Sequence, residues 1–430
     1  MFKTFENKLR YLFIFIITAG FLTISEKPAT AQNQDELIHR DFRLTILPGL
    51  GTNGINSTDY TAKYSLNIIG GYHGGLDGYE IGLFNFNQRY TRGLQVGFFN
   101  ASGGEMTGLN VGAVNFSRRN MTGLQFSTFA NVTEQQMQGI QASGFVNSSF
   151  NDMLGLQFSG VGNITRGNLR GLQIAGLFNS GIGNSQGLMF AGFGNFNAGR
   201  SQGFAFAGVT NLARDVQGVS FSGVFNATRR VQGFQISGFA NVANRVQGGQ
   251  IGVVNLAREF EGIPVGLISY YGDGRKNIDV WFSDGGFQNV GLKLGTTSIY
   301  NMLSLGYNPL LQGRDVWTIG WTIGSYTPLE EAWENERFTG YFRMRDLSII
   351  NVQEGSFSTR INTIYRYRYL IGKDLGNNFG VYAGPTLNFL ISRDSRSNEY
   401  AWYSIFRGER GGSDFAFWAG FTAGIQIFGH

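Results

Sequence analysis

The large apolar residues of this chain fall into a short pattern that recurs. In the stretch Val231-Gln-Gly-Phe-Gln-Ile-Ser-Gly-Phe-Ala-Asn-Val-Ala-Asn-Arg they stand at Val231, Phe234, Ile236, Phe239 and Val242, at steps of 3, 2, 3 and 3, and the next cycle resumes at Val246. A flat strand alternates strictly by two. Steps of three fit a chain that turns corners and points successive side chains back to one axis. The core of the pattern, Gly-Leu-Gln-Val-(Ser/Ala)-Gly-Phe-x-Asn, occurs thirteen times. Its opening glycine is Gly78, Gly93, Gly108, Gly123, Gly139, Gly155, Gly171, Gly187, Gly203, Gly218, Gly233, Gly248 and Gly262, at intervals of 14 to 16 residues. A fixed short period signals stacked, near-identical units. The pattern therefore predicts a β-solenoid over 78–270, after an N-terminal β segment at 32–77.

Columns can be followed down the repeats. The residue after the glycine runs Leu94, Leu109, Leu124, Ile140, and two residues on come Val96, Val111, Phe126 and, later, Phe206 and Phe221. These columns are expected to be buried. Phe221→Asp should then abolish folding, whereas Arg229→Ser, in a spacer, should change stability by less than about 0.5 kcal/mol. Between the apolar columns lies a polar one, formed by Gln95, Asn110, Gln125, Gln141, Gln157, Gln173, Gln235 and Gln250. Stacked amides at this spacing can hydrogen-bond from coil to coil. An Asn closes twelve copies, from Asn85 to Asn255, where its side chain can bond the backbone of a turn. Glu80 is the exceptional charge inside a core. The other charges sit in spacers, among them Arg118, Arg119, Arg166, Arg170, Arg214, Arg229, Arg230 and Arg245, which reads as a solvent edge. A rival arrangement is one large transmembrane β-barrel, with ten-residue strands joined by five-residue turns as its wall.

After about residue 270 the period becomes two. The closing stretch places Phe415, Phe417, Ala419, Phe421, Ala423, Ile425 and Ile427 on one face, and Ala416, Trp418, Gly420, Thr422, Gly424, Gln426 and Phe428 on the other. Long alternating strands of this kind build outer-membrane barrels. Within 356–372, Ile361, Tyr365, Tyr367, Tyr369 and Ile371 share one face and Arg360, Asn362, Arg366 and Arg368 the other, so the arginines are expected to face a lumen. Further strands are expected near 278–283, 289–296, 300–308, 315–325, 338–350 and 378–391. Long loops, of a kind that suits an outer surface, are expected at 328–337 and 392–414. The expected fold is all-β: stacked 15–16-residue repeats followed by an antiparallel barrel at 271–430.

Composition narrows the setting. All six Trp lie after residue 280, and no Tyr occurs between Tyr90 and Tyr270, which marks the boundary near 270. At the start, Lys3, Lys8 and Arg10 precede an apolar run from Tyr11 and then Ala29-Thr30-Ala31, so residues 1–31 read as a secretory signal peptide. The chain has no Cys, which excludes disulfides and thiolate metal sites. Beyond the signal no apolar run approaches the ~20 residues of a membrane helix, so any membrane crossing must be made by strands. A formal charge of +5 over 430 residues gives no case for nucleic-acid binding. Three His residues leave little for a transition-metal site, and neither a nucleophile elbow nor a phosphate loop is present. No cofactor is expected and the protein reads as non-enzymatic.

The run Tyr64-Ser-Leu-Asn-Ile-Ile-Gly-Gly-Tyr72, followed by Gly78-Tyr-Glu-Ile-Gly-Leu-Phe-Asn85 and Gly93-Leu-Gln-Val-Gly-Phe-Phe-Asn100, resembles the bacterial Gly-Leu-Gln-Ile-Gly surface-repeat proteins. The resemblance covers about 64–270 and implies an envelope or surface location, not an activity. Taken together, these features give the expectation of a bacterial outer-membrane protein. Its barrel would contact outer-membrane lipid and carry the repeats to a surface or solute ligand. The alternatives are a large solute pore with the repeats as its wall, or a soluble exported repeat protein.

Overall fold

The computed structural model describes residues 37–311, 313–376, 378–394, 399–401 and 403–428. The expected signal peptide, Trp402 and His430 lie outside them. About 74% of the chain is strand. The repeats form a β-solenoid and the C-terminal region a closed eight-stranded antiparallel barrel.

Each coil of the solenoid pairs in parallel with the coils before and after it. Met137–Ser143, for example, lies between Met121–Ser127 and Met153–Ser159, with Gly123, Gly139 and Gly155 in register. The parallel pairing excludes the up-and-down barrel wall as an arrangement for these residues, since neighbouring strands there run antiparallel. All thirteen opening glycines have positive φ, from +112° to +157°. They are also stacked: a Cβ on Gly171 would stand 1.9 Å from the carbonyl oxygen of Gly155, and the same contact recurs along the column. Both conditions demand glycine. Coil geometry begins upstream of the first copy, because Ile38–Leu47 pairs in parallel with 60–67, from Ile38↔Tyr60 to Thr45↔Asn67.

Inside and outside are reversed relative to the expectation. Phe206 and Phe221 do share a column, with parallel rings 5.0 Å apart, but they are 45% and 39% exposed on the outside of the coil. Phe234, Phe239 and Val242 also face out. The inward positions of that coil are Val231, Gln235, Ser237, Asn241 and Ala243. Strict alternation holds from Val231 through Gly233 and Gln235 to Ser237. The steps of three therefore mix one inward column with several outward ones. Along most of the solenoid the inward positions hold amides, Ser, Ala and unbranched or small aliphatic side chains, and a stacked ring pair enters the interior at its C-terminal end, where Phe260 and Tyr271 lie 4.1 Å apart. Phe221→Asp consequently falls on the outer surface, and the expected loss of folding through a buried column is withdrawn. The spacer arginines, Arg229 included, are exposed as expected.

The barrel strands are β1 Arg275–Ser283, β2 Gln288–Gly295, β3 Ile299–Tyr307, β4 Val316–Pro328, β5 Tyr341–Glu354, β6 Asn362–Asp374, β7 Phe379–Ser392 and β8 Ser413–Phe428. Neighbours in this order pair antiparallel, and β8 returns to β1 from Ser283↔Thr422 to Asn277↔Phe428, which closes the ring. Large apolar residues such as Phe282, Leu305, Leu347, Phe421 and Ile425 face out, and Thr422 and Gln426 face in. β4 and β5 are joined at one end of the barrel and β7 and β8 at the other, as the alternating strand directions require, and within the second expected loop Phe406–Arg410 is a strand paired with β8. The two expected loops do not form a single outer surface.

Candidate functional site: amide ladders inside, apolar rows outside

The inside of the solenoid is built on side-chain amides. Twelve asparagines form an unbroken ladder. Each Nδ2 from Asn85 to Asn241 donates to the Oδ1 of the next, at 2.8–3.0 Å. Each of these side chains also donates to a carbonyl of the following coil, as Asn163 does to Ile174 O at 2.9 Å. The axial and turn bonds together explain why Asn is repeated where Ser or Asp would not serve: the amide has two N–H donors, one for the next rung and one for the turn carbonyl, and an oxygen that accepts, whereas Ser has one donor and an ionised Asp none.

The expected glutamine column is present and buried. Gln141, Gln157 and Gln173 each donate to the preceding Gln at 2.8, 2.7 and 2.6 Å, the first of them to Gln125. Gln250 donates to Gln235 at 2.8 Å, and Gln95 to Glu80 Oε2 at 2.8 Å. The ladder is not continuous, because Met189, Ala205 and Ser220 occupy its middle rungs. It also breaks at Asn110, whose side chain is one methylene too short. Both polar atoms of Asn110 and the Oε1 of Gln95 are buried without a hydrogen-bond partner. Asn110→Gln should join the two pieces and raise stability by about 1–3 kcal/mol, the cost of leaving such groups unmade. Chemical unfolding of the two proteins side by side checks this; an unchanged or lowered midpoint would contradict it.

A largely apolar column also runs down the axis, two residues before the glycines, through Met106, Met121, Met137, Met153 and Leu169, then Ser185 and Ser201, to Val216, Val231 and Val246. Sequence reasoning missed it. The usable signal was that this position carries no charge in any copy, while its neighbours do.

At the N-terminal end the ladders finish on a buried charged knot. Arg43 Nη2 lies 3.2 Å from Glu80 Oε1, and both side chains are fully buried. Glu80 also accepts from Ser65, Asn67, Asn87 and Gln95 at 2.6–3.1 Å. His73 is held between Ser57 and Asn67, at 3.0 Å from each. Burial, reinforced by the charge of Arg43, pushes the His73 imidazole down to about 3, so it is neutral at ordinary pH. Every charge in the knot has a partner inside it, so it closes the first coils and has no open coordination position.

The outside of the coils is divided. Outward residues in the stretch before the glycines are mostly polar, Leu154 being an exception: Gln202 bonds Gln217 at 2.8 Å, and Arg230 bonds Asp215 at 2.8 and 3.0 Å. Outward residues after the glycine are apolar for the rest of the coil, from the row of Leu188 and Phe204, through Phe190 and Phe206, to the turn row of Phe145, Leu177 and Phe193. Two shallow grooves of about 490 Å³ lie in this apolar half; one runs past Val111, Phe126, Ala142, Phe158 and Ile174, where the small Ala142 notches the row.

In the barrel, two of the three expected lumen-facing arginines point inward. Arg368 Nε and Nη2 donate to Asp346 at 2.7 and 3.0 Å, and Tyr300 adds a bond to Asp346 Oδ2 at 2.7 Å. Arg366 Nε donates to Asn388 at 2.6 Å and lies 3.9 Å from Asp284. Lys293 pairs with Asp279 at 2.5 Å. Arg360 is a correction: it precedes β6 and is exposed in the 355–361 connection, so it does not line the interior. Apolar clusters fill the barrel on either side of the ion pairs. Trp281, Tyr300, Met302 and Phe342 belong to one, and Phe287, Ile364, Leu390 and Trp418 to the other, where Tyr400 folds in and bonds Asn362 at 2.8 Å. The arrangement is a packed interior, as an eight-stranded ring permits. Among the described residues, no group of three or more His, Cys, Asp or Glu side chains is placed to hold a metal ion.

The two parts meet through the outer wall of the barrel. Asn301 Nδ2 on β3 donates to Pro264 O and to Ser269 Oγ, at 3.0 and 3.1 Å. Ser269 is the rung that accepts from Asn255, so Asn301 extends the asparagine ladder into the barrel wall. Trp321 Nε1 on β4 donates to Gly266 O at 2.8 Å. Sequence gave no sign of this joint.

The chain matches no protein-family model, no curated protein and no solved structure.

Proposed function

We propose that this is a non-enzymatic outer-membrane protein, exported by its N-terminal segment, in which the barrel is an anchor and the solenoid presents a binding surface. The observation that carries this reading is the barrel's division into an apolar outer wall and an interior filled by Arg368–Asp346, Lys293–Asp279 and two aromatic clusters. A wall of that kind suits lipid, and a filled interior suits an anchor better than a conduit. The solenoid supports a binding role because its interior is taken up by repeated amide ladders, while its outer rows form one extended surface. The partners are then outer-membrane lipid for the barrel and a further ligand at the solenoid surface; nucleic acid has no part in it. Reconstitution of the full chain into planar bilayers tests this. Stable insertion with no steady conductance is the expected outcome. A large steady current would overturn the anchor reading, and a monodisperse protein that needs no detergent would overturn membrane insertion.

A further inference from the structure

We infer that the ligand of the solenoid's apolar half is lipid itself: the repeat domain lies along the membrane beside the barrel, with its apolar rows in the acyl layer and its polar rows toward water. This rests on the barrel being inserted in a bilayer.

Four observations converge on it. The first is extent. The apolar rows run from the coil of Tyr79 and Ile81 to the coil of Ile263 and Leu267, with local breaks at Thr128, Ala142 and Gly249. Thirteen coils at the spacing of paired strands make a surface roughly 60 Å long, far beyond the patch that a protein in water leaves bare. The second is continuity with the barrel's own apolar wall. The last coil is fixed to Asn301 and Trp321, which lie within β3 and β4 and not in their connecting loops. On the same outer side of those strands Leu305 and Ile319 are exposed. A solenoid attached there begins at the height that lipid covers, so it extends alongside the barrel and not from its rim.

The third observation is the sidedness of each coil. Apolar residues occupy most outward positions after the glycine, and Gln, Thr, Asp and Arg most of those before it, with Thr128 and Leu154 as exceptions. Arg118, Arg119, Arg166, Arg214, Arg229 and Arg258 stand where the apolar half gives way to the polar one, all exposed, and outnumber the acid Glu134 there. Cations at that border suit lipid phosphates, with the side chains reaching outward from the acyl layer. The fourth is the interior. The coil stack satisfies its backbone by parallel pairing, and behind the apolar rows the polar groups left without a partner are mostly small hydroxyls, such as those of Ser127, Ser143 and Ser159. Hydrocarbon demands such pairing of any backbone placed in it.

The absence of Cys from the chain makes single-cysteine labelling clean. The variants are Phe126→Cys, Phe206→Cys and Phe239→Cys on the apolar rows, Gln186→Cys and Gln217→Cys on the polar rows, and Leu347→Cys on the barrel wall. Each full-length protein is labelled with the environment-sensitive fluorophore NBD. It is then reconstituted into vesicles of phosphatidylethanolamine and phosphatidylglycerol doped with a phosphatidylcholine carrying a nitroxide on its acyl chain. Labels at 126, 206 and 239 should be quenched as strongly as the label at 347, and several-fold more than those at 186 and 217. Labels on the apolar rows that aqueous iodide quenches as readily as those at 186 and 217 would overturn the inference. So would labels shielded from both quenchers, which would point to a second copy or another protein on this surface. Absence of lipid quenching at 347 would show that the barrel reading itself had failed.

Discussion

Gly171→Ala is expected to open the solenoid around the substituted coil. The added Cβ would meet the Gly155 carbonyl at 1.9 Å, and the residue has a φ of +139°. Neither neighbour is free to move, because the Gly155 peptide is itself stacked between the coils on each side. We expect a loss above about 3 kcal/mol, since steric overlap and backbone strain act together here. Hydrogen exchange of the full-length protein should show protection lost over about 153–191, with the barrel unaffected. Gly54→Ala is the control. That residue also has positive φ, +57°, but has no atom within 4 Å of a built Cβ. It should cost only the ~1–2 kcal/mol of a left-handed backbone. Equal effects at the two positions would mean that stacking is not what requires the repeated glycine.

Arg368→Ala is expected to destabilise the barrel by about 3–5 kcal/mol, the usual consequence of stripping one partner from a buried ion pair. Asp346 would lose both guanidinium bonds and keep only that of Tyr300. The double variant Arg368→Met, Asp346→Leu should recover most of the loss, because it removes both charges at once. Urea unfolding in micelles would show the single variant with a lowered midpoint and the double one near the parent. A single variant indistinguishable from the parent would mean that the interior is hydrated and the pair is screened.

Much of the fold was legible because both halves of the chain are periodic. In the barrel, alternation over 415–428 and 361–371 separated outward Phe421, Ile425 and Tyr365 from inward Thr422, Gln426 and Arg366. The other strands were found to within a few residues of their observed bounds. In the solenoid, the period identified the Gln column and the repeated Asn of the turn, and the bonding of each Asn to the next emerged from the structure. What pattern cannot supply is sign. Periodicity shows which residues share a side, and the step from apolar to buried assumes that water lies outside. Phe206 and Phe221 reversed that assumption, and the inward Met121 and Met137 were overlooked in consequence. Arg360 was misplaced for a local reason: alternation was extended two residues beyond the start of β6. The joint through Asn301 and Trp321 depends on contacts between distant segments and leaves no trace in either local pattern.

The central claim is that the amides are inside and the Phe rows outside. Hydrogen exchange of side-chain amides tests it most directly, in full-length protein carrying 15N at its Asn side chains. The NH2 groups of the buried ladder, from Asn100 to Asn241, should persist in D2O for hours, while those of exposed Asn120 and Asn244 should vanish at once. Exchange of the ladder amides as fast as Asn120 and Asn244 would contradict the account, because it would place them in water and the Phe rows in the core.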